Sequence, residues 1–412
     1  VLPSGERRRL DTVSHRFPRG DIEKQYQAAG AATGDRRIGF AGHLPGGPRD
    51  HVLLQPRFEL RLKSGAVIEL VPPPQAGDFG EARNAVLSAF PQGQLSTAAL
   101  EAAILPPARA LHVAFLAGKQ APEIVDFGKL PARPAVSVVV PLYRNLEFMR
   151  FQVAGFAIDR DFADAELIYV LDSPEQRTEL EHLLTGLELL HGLPMRLVVM
   201  SGNFGFASAC NAGAEAARGE RVLFCNSDVV PDRPGWISAL RQVMDSDAKI
   251  GAVGAKLLFE DDSLQHAGMY FSRDSRGSWL NNHFYKGMPR DFAAATVQRS
   301  VPAVTGALVM LPLAQFKAVG GFTQDYIIGD YEDSDLCLKL RDRGLDIRYV
   351  PDAELYHLER RSIQRHAGYM RGVAWEYNRR LHAERWGGLI EQLMRADVSS
   401  AIPAEPAQEQ VG

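Results

Sequence analysis

Apolar residues change their spacing several times along this chain. Phe58, Leu60 and Leu62 alternate with Glu59, Arg61 and Lys63, Ser64-Gly65 supplies a turn, and Val67-Ile68-Glu69-Leu70 follows, which predicts a hairpin. Helical spacing takes over at residues 81–90 and 97–117, where Pro106-Pro107 is expected to break or kink the second helix. From Val136 the apolar positions become continuous: Val136-Ser137-Val138-Val139-Val140-Pro141 is a run of the kind a parallel sheet buries on both faces. Strand-like and helix-like stretches then alternate through 166–171, 174–190, 195–200, 206–217, 221–225 and 235–244. That alternation predicts an α/β fold with a doubly wound sheet, whose ligands bind beyond the carboxyl ends of the strands. After 250–259 the pattern is irregular through Asn282, then an apolar strand is expected at 301–310 and a short helix ending at Gly320-Gly321.

These patterns divide the chain. Residues 1–35 are polar, Arg-rich and aperiodic, and are expected to be disordered; 36–120 form a small mixed accessory domain; 121–135, with Pro122, Pro131 and Pro134, form a linker. Residues 136–362 are the α/β domain. Residues 363–398 are expected to be amphipathic helices with Trp375, Tyr377, Leu381, Trp386 and Leu389 as their apolar stripe, and the Ala/Pro/Glu/Gln-rich tail 399–412 to be disordered.

Composition narrows the function. The 412 residues are long enough for an enzyme domain and a smaller one, and 46 Lys+Arg against 50 Asp+Glu leave a net charge of −4, with no basic field to hold nucleic acid. Cys210, Cys225 and Cys337 are widely spaced in apolar segments, as suits reduced thiols in the cytoplasm. The N-terminus has no signal-peptide core, and 301–313 is the best apolar stretch and too short to span a bilayer. The expectation is a soluble protein, at most peripheral at the inner membrane face.

The candidate chemistry lies at predicted strand ends. Gly329-Asp330-Tyr331-Glu332-Asp333-Ser334-Asp335-Leu336 puts four carboxylates in six residues at a helix start. Pairing with the helix dipole explains some of that charge; four acids exceed what a cap requires, and such a cluster suits a base or a bound cation. Asp228, just past the strand 222–225, either caps a turn before Pro231 or projects from the sheet edge toward a metal-bound diphosphate. His357 is either an ordinary half-buried histidine or a site residue, and Arg360 and Arg361 add positive charge beside it. The run from Gly202 to Gly213 (Gly-Asn-Phe-Gly-Phe-Ala-Ser-Ala-Cys-Asn-Ala-Gly) is a small-residue loop entering a helix, where a ligand or another backbone can approach; it matches neither a Walker nor a dinucleotide fingerprint.

Taken in order, residues 135–362 resemble the family 2 glycosyltransferases, inverting enzymes of the GT-A fold. Four segments carry the resemblance: Val140-Pro141-Leu142-Tyr143-Arg144-Asn145; the run with Asn203, Gly205, Phe206, Ala207, Ala209, Asn211 and Gly213; Asn226-Ser227-Asp228; and Glu332-Asp333-x-Asp335-Leu336 followed by His357. The resemblance implies a nucleotide-diphosphate sugar donor whose base and ribose are flanked by Pro141, Tyr143 and Asp172, with Asn203, Gly205, Asn211 and Arg361 also on the donor. It places Asp228 and His357 on a Mn²⁺ or Mg²⁺ ion, and gives the catalytic positions to Asp333, as base, and Glu332. Where the family has Asp-x-Asp this chain has Asn226-x-Asp228, so Asn226 is assigned to hydrogen bonding around the ribose or metal. The run from Gly254 through Gln265-His266-Ala267-Gly268 is similar to relatives that build bacterial surface polysaccharides, rhamnosyltransferases included; His266 there touches donor or acceptor, or merely closes a hairpin. The implied acceptor is a glycan or lipid-linked glycan of the cell envelope. A sugar nucleotidyltransferase would need a Gly-rich loop after the first strand, which this chain lacks; a non-catalytic carbohydrate-binding protein stays open at this stage.

Overall fold

In the computed structural model, the apolar run from Val136 is buried on both faces. Val136, Val138, Val140 and Leu142 pack in one core with the helices Met149–Ala157, Arg177–His191 and Trp236–Met244; Val139 faces a second core with Phe206–Ala216, Leu313–Ala318 and Glu332–Asp342. Placement is described for residues 7, 9, 14–30, 37, 39–43, 58–62, 64–70, 77–88, 96–275, 277–358 and 373–398. The described residues of 1–119 and 365–377 form one compact unit, and those of 120–364 and 378–412 the other.

In the larger unit the main sheet runs Val229–Pro231, Asp346–His357, Ile250–Leu258, Leu308–Pro312, Arg221–Cys225, Val136–Leu142, Ala165–Leu171, Met195–Val199, Glu123–Phe127. Val136–Leu142 is parallel to both Ala165–Leu171 and Arg221–Cys225. Because the chain steps outward from Val136–Leu142 in one direction and later returns on its other side, the strand order reverses there. In open α/β sheets ligands bind beyond the carboxyl ends at such a reversal, and here Pro141 and Asn226 stand at that edge. Leu308–Pro312 is antiparallel to both its neighbours, so the turn entering it, Thr305–Ala307, comes to the same edge. Asp346–His357 is parallel to Ile250–Leu258, which brings His357 there too. Gly213 allows the helix Phe206–Ala216 to lie close on the sheet: a Cβ would sit 2.3 Å from Val139 Cγ1.

Several expectations change. Glu123–Phe127, inside the expected linker, is an antiparallel edge strand on Met195–Val199 with Arg196 bonded to Asp126 at 2.7 Å; an edge strand open to water shows little apolar pattern. The stretch expected to be irregular holds the strand Leu264–His266 and the hairpin Met269–Arg273/Trp279–His283. One helix, Val373–Val398, carries the C-terminal stripe; residues 363–372 and 399–412 lie outside the described residues.

In the smaller unit, the hairpin Phe58–Arg61/Val67–Leu70 forms as expected, with Gly65 at φ +89° in its turn. Residues 14–28, expected to be disordered, form the strand Ser14–Phe17 and the helix Gly20–Ala28; the strand's partner is Gly39–Gly42, too distant for a local pattern to reveal. The helical run 97–117 is not broken at Pro106-Pro107. The prolines occupy the first turn of Leu105–Ala117, where their missing N–H groups are tolerated, and the preceding Leu100–Ile104 widens into a π-helix. That continuity makes Thr97–Ala117 long and apolar enough, by length and composition, to cross a membrane, contrary to the sequence expectation; a third of it is buried inside the fold, including Leu111 and His112, whose Nδ1 lies 2.8 Å from Arg83.

Candidate active site

Asp228 and His357 meet because Val229–Pro231 pairs antiparallel with Leu355–His357, with Val229 opposite His357. Gln152, buried in its helix, donates to the carbonyls of Asn226 and Val229 at 2.8 Å each and so fixes the intervening turn. Asp228 Oδ1 lies 3.2 Å from His357 Nε2, with both residues nine-tenths buried. His357 Nδ1 lies 2.6 Å from Gln265 Oε1, and Gln265 Nε2 donates to the His357 carbonyl at 3.4 Å. The carbonyl can face only the nitrogen end of the amide, so Oε1 faces the ring and Nδ1 carries a proton. Nε2 then points its lone pair at a carboxylate oxygen unless a second proton or a cation lies between them.

This donor set fits a divalent cation. A carboxylate and an imidazole whose far nitrogen is hydrogen-bonded are ordinary metal ligands, and an ion that keeps water and phosphate oxygens needs few protein ligands. Among the described residues no group of three or more His, Cys, Asp or Glu side chains is placed to hold a metal, so the remaining positions would fall to ligand and water.

Asp333 lies in the first turn of Glu332–Asp342, beside the Thr305–Ala307 turn. Its Oδ2 accepts the Gly306 N–H at 3.1 Å and Oδ1 the Ser334 N–H at 2.7 Å, and the Thr305 hydroxyl also donates to it. Burial raises its pKa, more than these hydrogen bonds lower it. The result is a carboxylate made more basic yet rigidly aimed. The Thr305–Ala307 turn ties it to the Asn226–Asp228 turn, since Ala307 O accepts the Asn226 N–H at 2.9 Å. The chain reaches Asp333 through a strained loop: Ile328, Asp330 and Tyr331 have φ of 73°, 80° and 73°. Buried Asn378 holds that loop by donating to the Ile327 and Gly329 carbonyls at 3.0 and 2.6 Å and accepting the Ile327 N–H at 2.8 Å.

The other acids of the cluster differ. Asp335 is fully buried and bonded to Thr323, Tyr326, Lys339 and Trp386; burial alone would raise its pKa, but these partners, Lys339 foremost, hold it below the usual range. It anchors the C-terminal helix. Glu332 is buried with Oε2 unpartnered, and burial followed by repulsion from Asp333 pushes its pKa well up. Asp330 is exposed.

On the expected donor side the residues divide. Tyr143 is exposed, with the Arg144 guanidinium 5.1 Å over its ring, and Pro141 is half-buried beside it. Asp172 is buried, and its oxygens accept the N–H groups of Phe204 and Gly205 at 2.8 and 2.7 Å, so it holds the Gly205 loop. Gly205 has φ +86°, and a Cβ there would lie 3.0 Å from Ile328 O: the glycine admits another backbone. Asn203 is exposed; Asn226 is half-buried. Asn211 points elsewhere: its amide donates to Phe322 O and accepts Phe322 N–H, both at 2.9 Å. His266 is fully buried and faces His283 and Thr305, out of reach of any ligand in solution. Arg361 lies outside the described residues.

Sequence reasoning passed over Gln152, Thr305 and Asn378. Two carry a legible signal: Gln152 interrupts an apolar helix, and Asn378 sits three residues from both Trp375 and Leu381, a lone amide on the helix's apolar stripe.

Residues 133–383 match the family described as glycosyltransferase like family 2. A protein of Sinorhizobium fredii named only as uncharacterized, y4gI, is 29% identical over 263 residues, 60% of this chain and 28% of that protein. The O-antigen biosynthesis protein RfbC of Myxococcus xanthus is 27% identical over 233 residues, covering 55% of this chain and 17% of its own. The chain thus spans less than a third of either curated relative. Among solved structures, a mannosyltransferase of Pyrobaculum calidifontis in complex with GDP-Man and Mn²⁺ has a TM-score of 0.40 and 18% identity, over 61% of this chain and 64% of that one.

Proposed function

This chain belongs to glycosyltransferase like family 2, and from that premise we propose that it transfers a sugar from a nucleotide-diphosphate donor to a hydroxyl of a glycan or glycolipid acceptor, with inversion at the anomeric carbon. The observation that carries this reading is Asp333: a carboxylate of raised pKa, aimed by two backbone N–H groups, joined through one turn to the Asp228–His357 pair. Asp333 takes the proton of the acceptor hydroxyl as its oxygen attacks the anomeric carbon, while the bond to the diphosphate breaks on the opposite face. Asp228 Oδ1 and His357 Nε2 would hold Mn²⁺ or Mg²⁺. When bound, that ion supplies Lewis-acid stabilisation of the leaving diphosphate. Pro141 and Tyr143 would flank the base and ribose, and Asp172, which holds the Gly205 loop, would shape that side of the site. Similarity to an O-antigen biosynthesis protein supports an acceptor in bacterial surface polysaccharide, made at the cytoplasmic face of the membrane. Three free, buried cysteines suit that compartment.

The test is thermal unfolding of the protein with UDP, GDP or dTDP, each with and without Mn²⁺. A nucleotide at ~100 times its dissociation constant adds roughly 2.7 kcal/mol. A metal-dependent rise for one nucleotide is expected and names the donor class. No rise with any of them refutes the donor site and favours a glycan-binding protein.

A further inference from the structure

The strand Leu264–His266 pairs with the end of Ile250–Leu258, Leu257 opposite His266, and successive side chains of a strand point to opposite faces. Gln265 and His266 are both buried, so neither reaches a substrate, yet each touches one half of the site. On one face Gln265 holds His357 by two bonds, Oε1 to Nδ1 at 2.6 Å and Nε2 to the carbonyl at 3.4 Å. An amide oxygen only accepts, so this contact selects the Nδ1–H form and turns Nε2 toward Asp228. On the other face His266 Nε2 lies 3.4 Å from the Thr305 N–H, which it must accept. Its own proton therefore sits on Nδ1 and is donated to His283 Nδ1 at 2.9 Å. Burial, and then His283, lower the pKa of His266 well below its ordinary value, which keeps the ring neutral and Nε2 able to accept. Thr305 and Gly306, the residues so held, are the ones whose hydroxyl and N–H aim Asp333.

We propose that Gln265 and His266 are positioning residues on one short strand that serves both halves of the transfer: Gln265 sets the tautomer and plane of His357 on the donor side, and His266 braces the Thr305–Gly306 turn that presents Asp333 on the acceptor side. This rests on the reading of Asp228, His357 and Asp333 given above. Neighbouring residues of a single strand thus connect the leaving-group site to the base.

The experiment uses the full chain with ¹⁵N-labelled histidine and no metal, followed by Mn²⁺ titration read by electron paramagnetic resonance and by steady-state kinetics. In the wild type, two-bond proton–nitrogen correlation is expected to show His357 carrying a proton on Nδ1, the nitrogen that faces Gln265 Oε1. Gln265→Leu is expected to lose that single form and to weaken Mn²⁺ binding by about 10–100-fold, and Gln265→Glu, which keeps an acceptor oxygen, to stay within about three-fold. His266→Phe is expected to lower kcat about ten-fold or more with Mn²⁺ affinity unchanged, and His266→Gln, which can still accept from Thr305, to recover most of it. A His357 protonated on Nε2 alone, or a folded Gln265→Leu with wild-type Mn²⁺ affinity, overturns the assignment of Gln265. A His266→Phe that is folded and fully active, or that loses Mn²⁺ affinity in step with kcat, overturns that of His266. A wild-type chain that binds no Mn²⁺ overturns the donor-site reading itself, and with it the role in the transfer; the metal-free histidine spectrum separates that failure from a wrong tautomer.

Discussion

Replacing Asp333 by Asn is the perturbation whose outcome the geometry fixes most tightly. Both carboxylate oxygens accept a backbone N–H, from Gly306 at 3.1 Å and Ser334 at 2.7 Å. An Asn side chain has one oxygen, so whichever way it turns, its NH₂ group faces one of those N–H donors. One donor is left unpaired, at a cost of about 1–3 kcal/mol. For a unit of this size that lowers the midpoint of thermal unfolding by about 2–12 °C. The second effect is chemical: the amide cannot take a proton, and loss of a general base lowers kcat by about 10²- to 10⁴-fold, or about 2.7–5.4 kcal/mol of barrier. Nucleotide affinity should stay unchanged in the folded variant, because the proposed role puts Asp333 on the acceptor and not on the donor. The assay is release of the nucleoside diphosphate below the variant's unfolding temperature, with donor affinity measured in parallel. The wild-type pH profile adds a check: burial raises the Asp333 pKa, so the acid limb of kcat should fall at a pH above the ordinary aspartate value. A folded Asp333→Asn chain that keeps its kcat within about ten-fold of wild type refutes Asp333 as the base.

Two further substitutions separate architecture from chemistry. Glu332 has a folded pKa above its unfolded value, so its contribution to stability is fully present below the unfolded pKa and is lost as pH rises through the folded one. Glu332→Gln, which mimics the protonated form, should therefore raise the unfolding midpoint at pH 8 and match wild type near pH 4; a lower midpoint at pH 8 would show that the ionised carboxylate is needed. Asn211→Ala removes both bonds to the buried backbone of Phe322 and should destabilise by about 1–3 kcal/mol per unpaired group while leaving nucleotide affinity unchanged; weakened nucleotide binding at an unchanged midpoint would return Asn211 to the donor site.

The central sheet was legible because burial on both faces of a parallel sheet writes itself into single strands, as at Val136 to Val140. What escaped was structure defined by a distant partner. Glu123–Phe127 is half-exposed along its length, and Ser14–Phe17 is a strand only because Gly39–Gly42 lies beside it. The meeting of Asp228 with His357 has the same origin, since it follows from the pairing of Val229 with His357; the sequence offered both residues but no local pattern joins them. The family resemblance put Asp172 and Asn211 on the donor, yet Asp172, just past its strand, and Asn211, within the helix Phe206–Ala216, close hydrogen bonds of the backbone in Phe204–Gly205 and Phe322. A buried N–H or C=O must be paired by something, and in irregular backbone a side chain can do that work.

The acidic cluster makes the same point within six residues. Its four carboxylates suggested a single charged site, but a helix turns about 100° per residue, so Asp333 and Asp335 face about 160° apart. Asp335 is directed into the interior, where Lys339, Thr323, Tyr326 and Trp386 satisfy it, while Asp333 is directed to the Gly306 turn. Asp330 is exposed, and Glu332 is buried with an unpartnered oxygen, its pKa raised first by burial and then by Asp333. The four carboxylates are thus dispersed to different surroundings, and Asp333 is the one aimed at the Gly306 turn. The left-handed backbone at Ile328, Asp330 and Tyr331 sets the direction from which the helix starts. Asn378, on a helix the sequence marked only for its apolar stripe, pins Ile327 and Gly329 within that loop. The orientation of Asp333 is therefore fixed from two sides, by the Thr305–Gly306 turn in front and by the Asn378-bound loop behind.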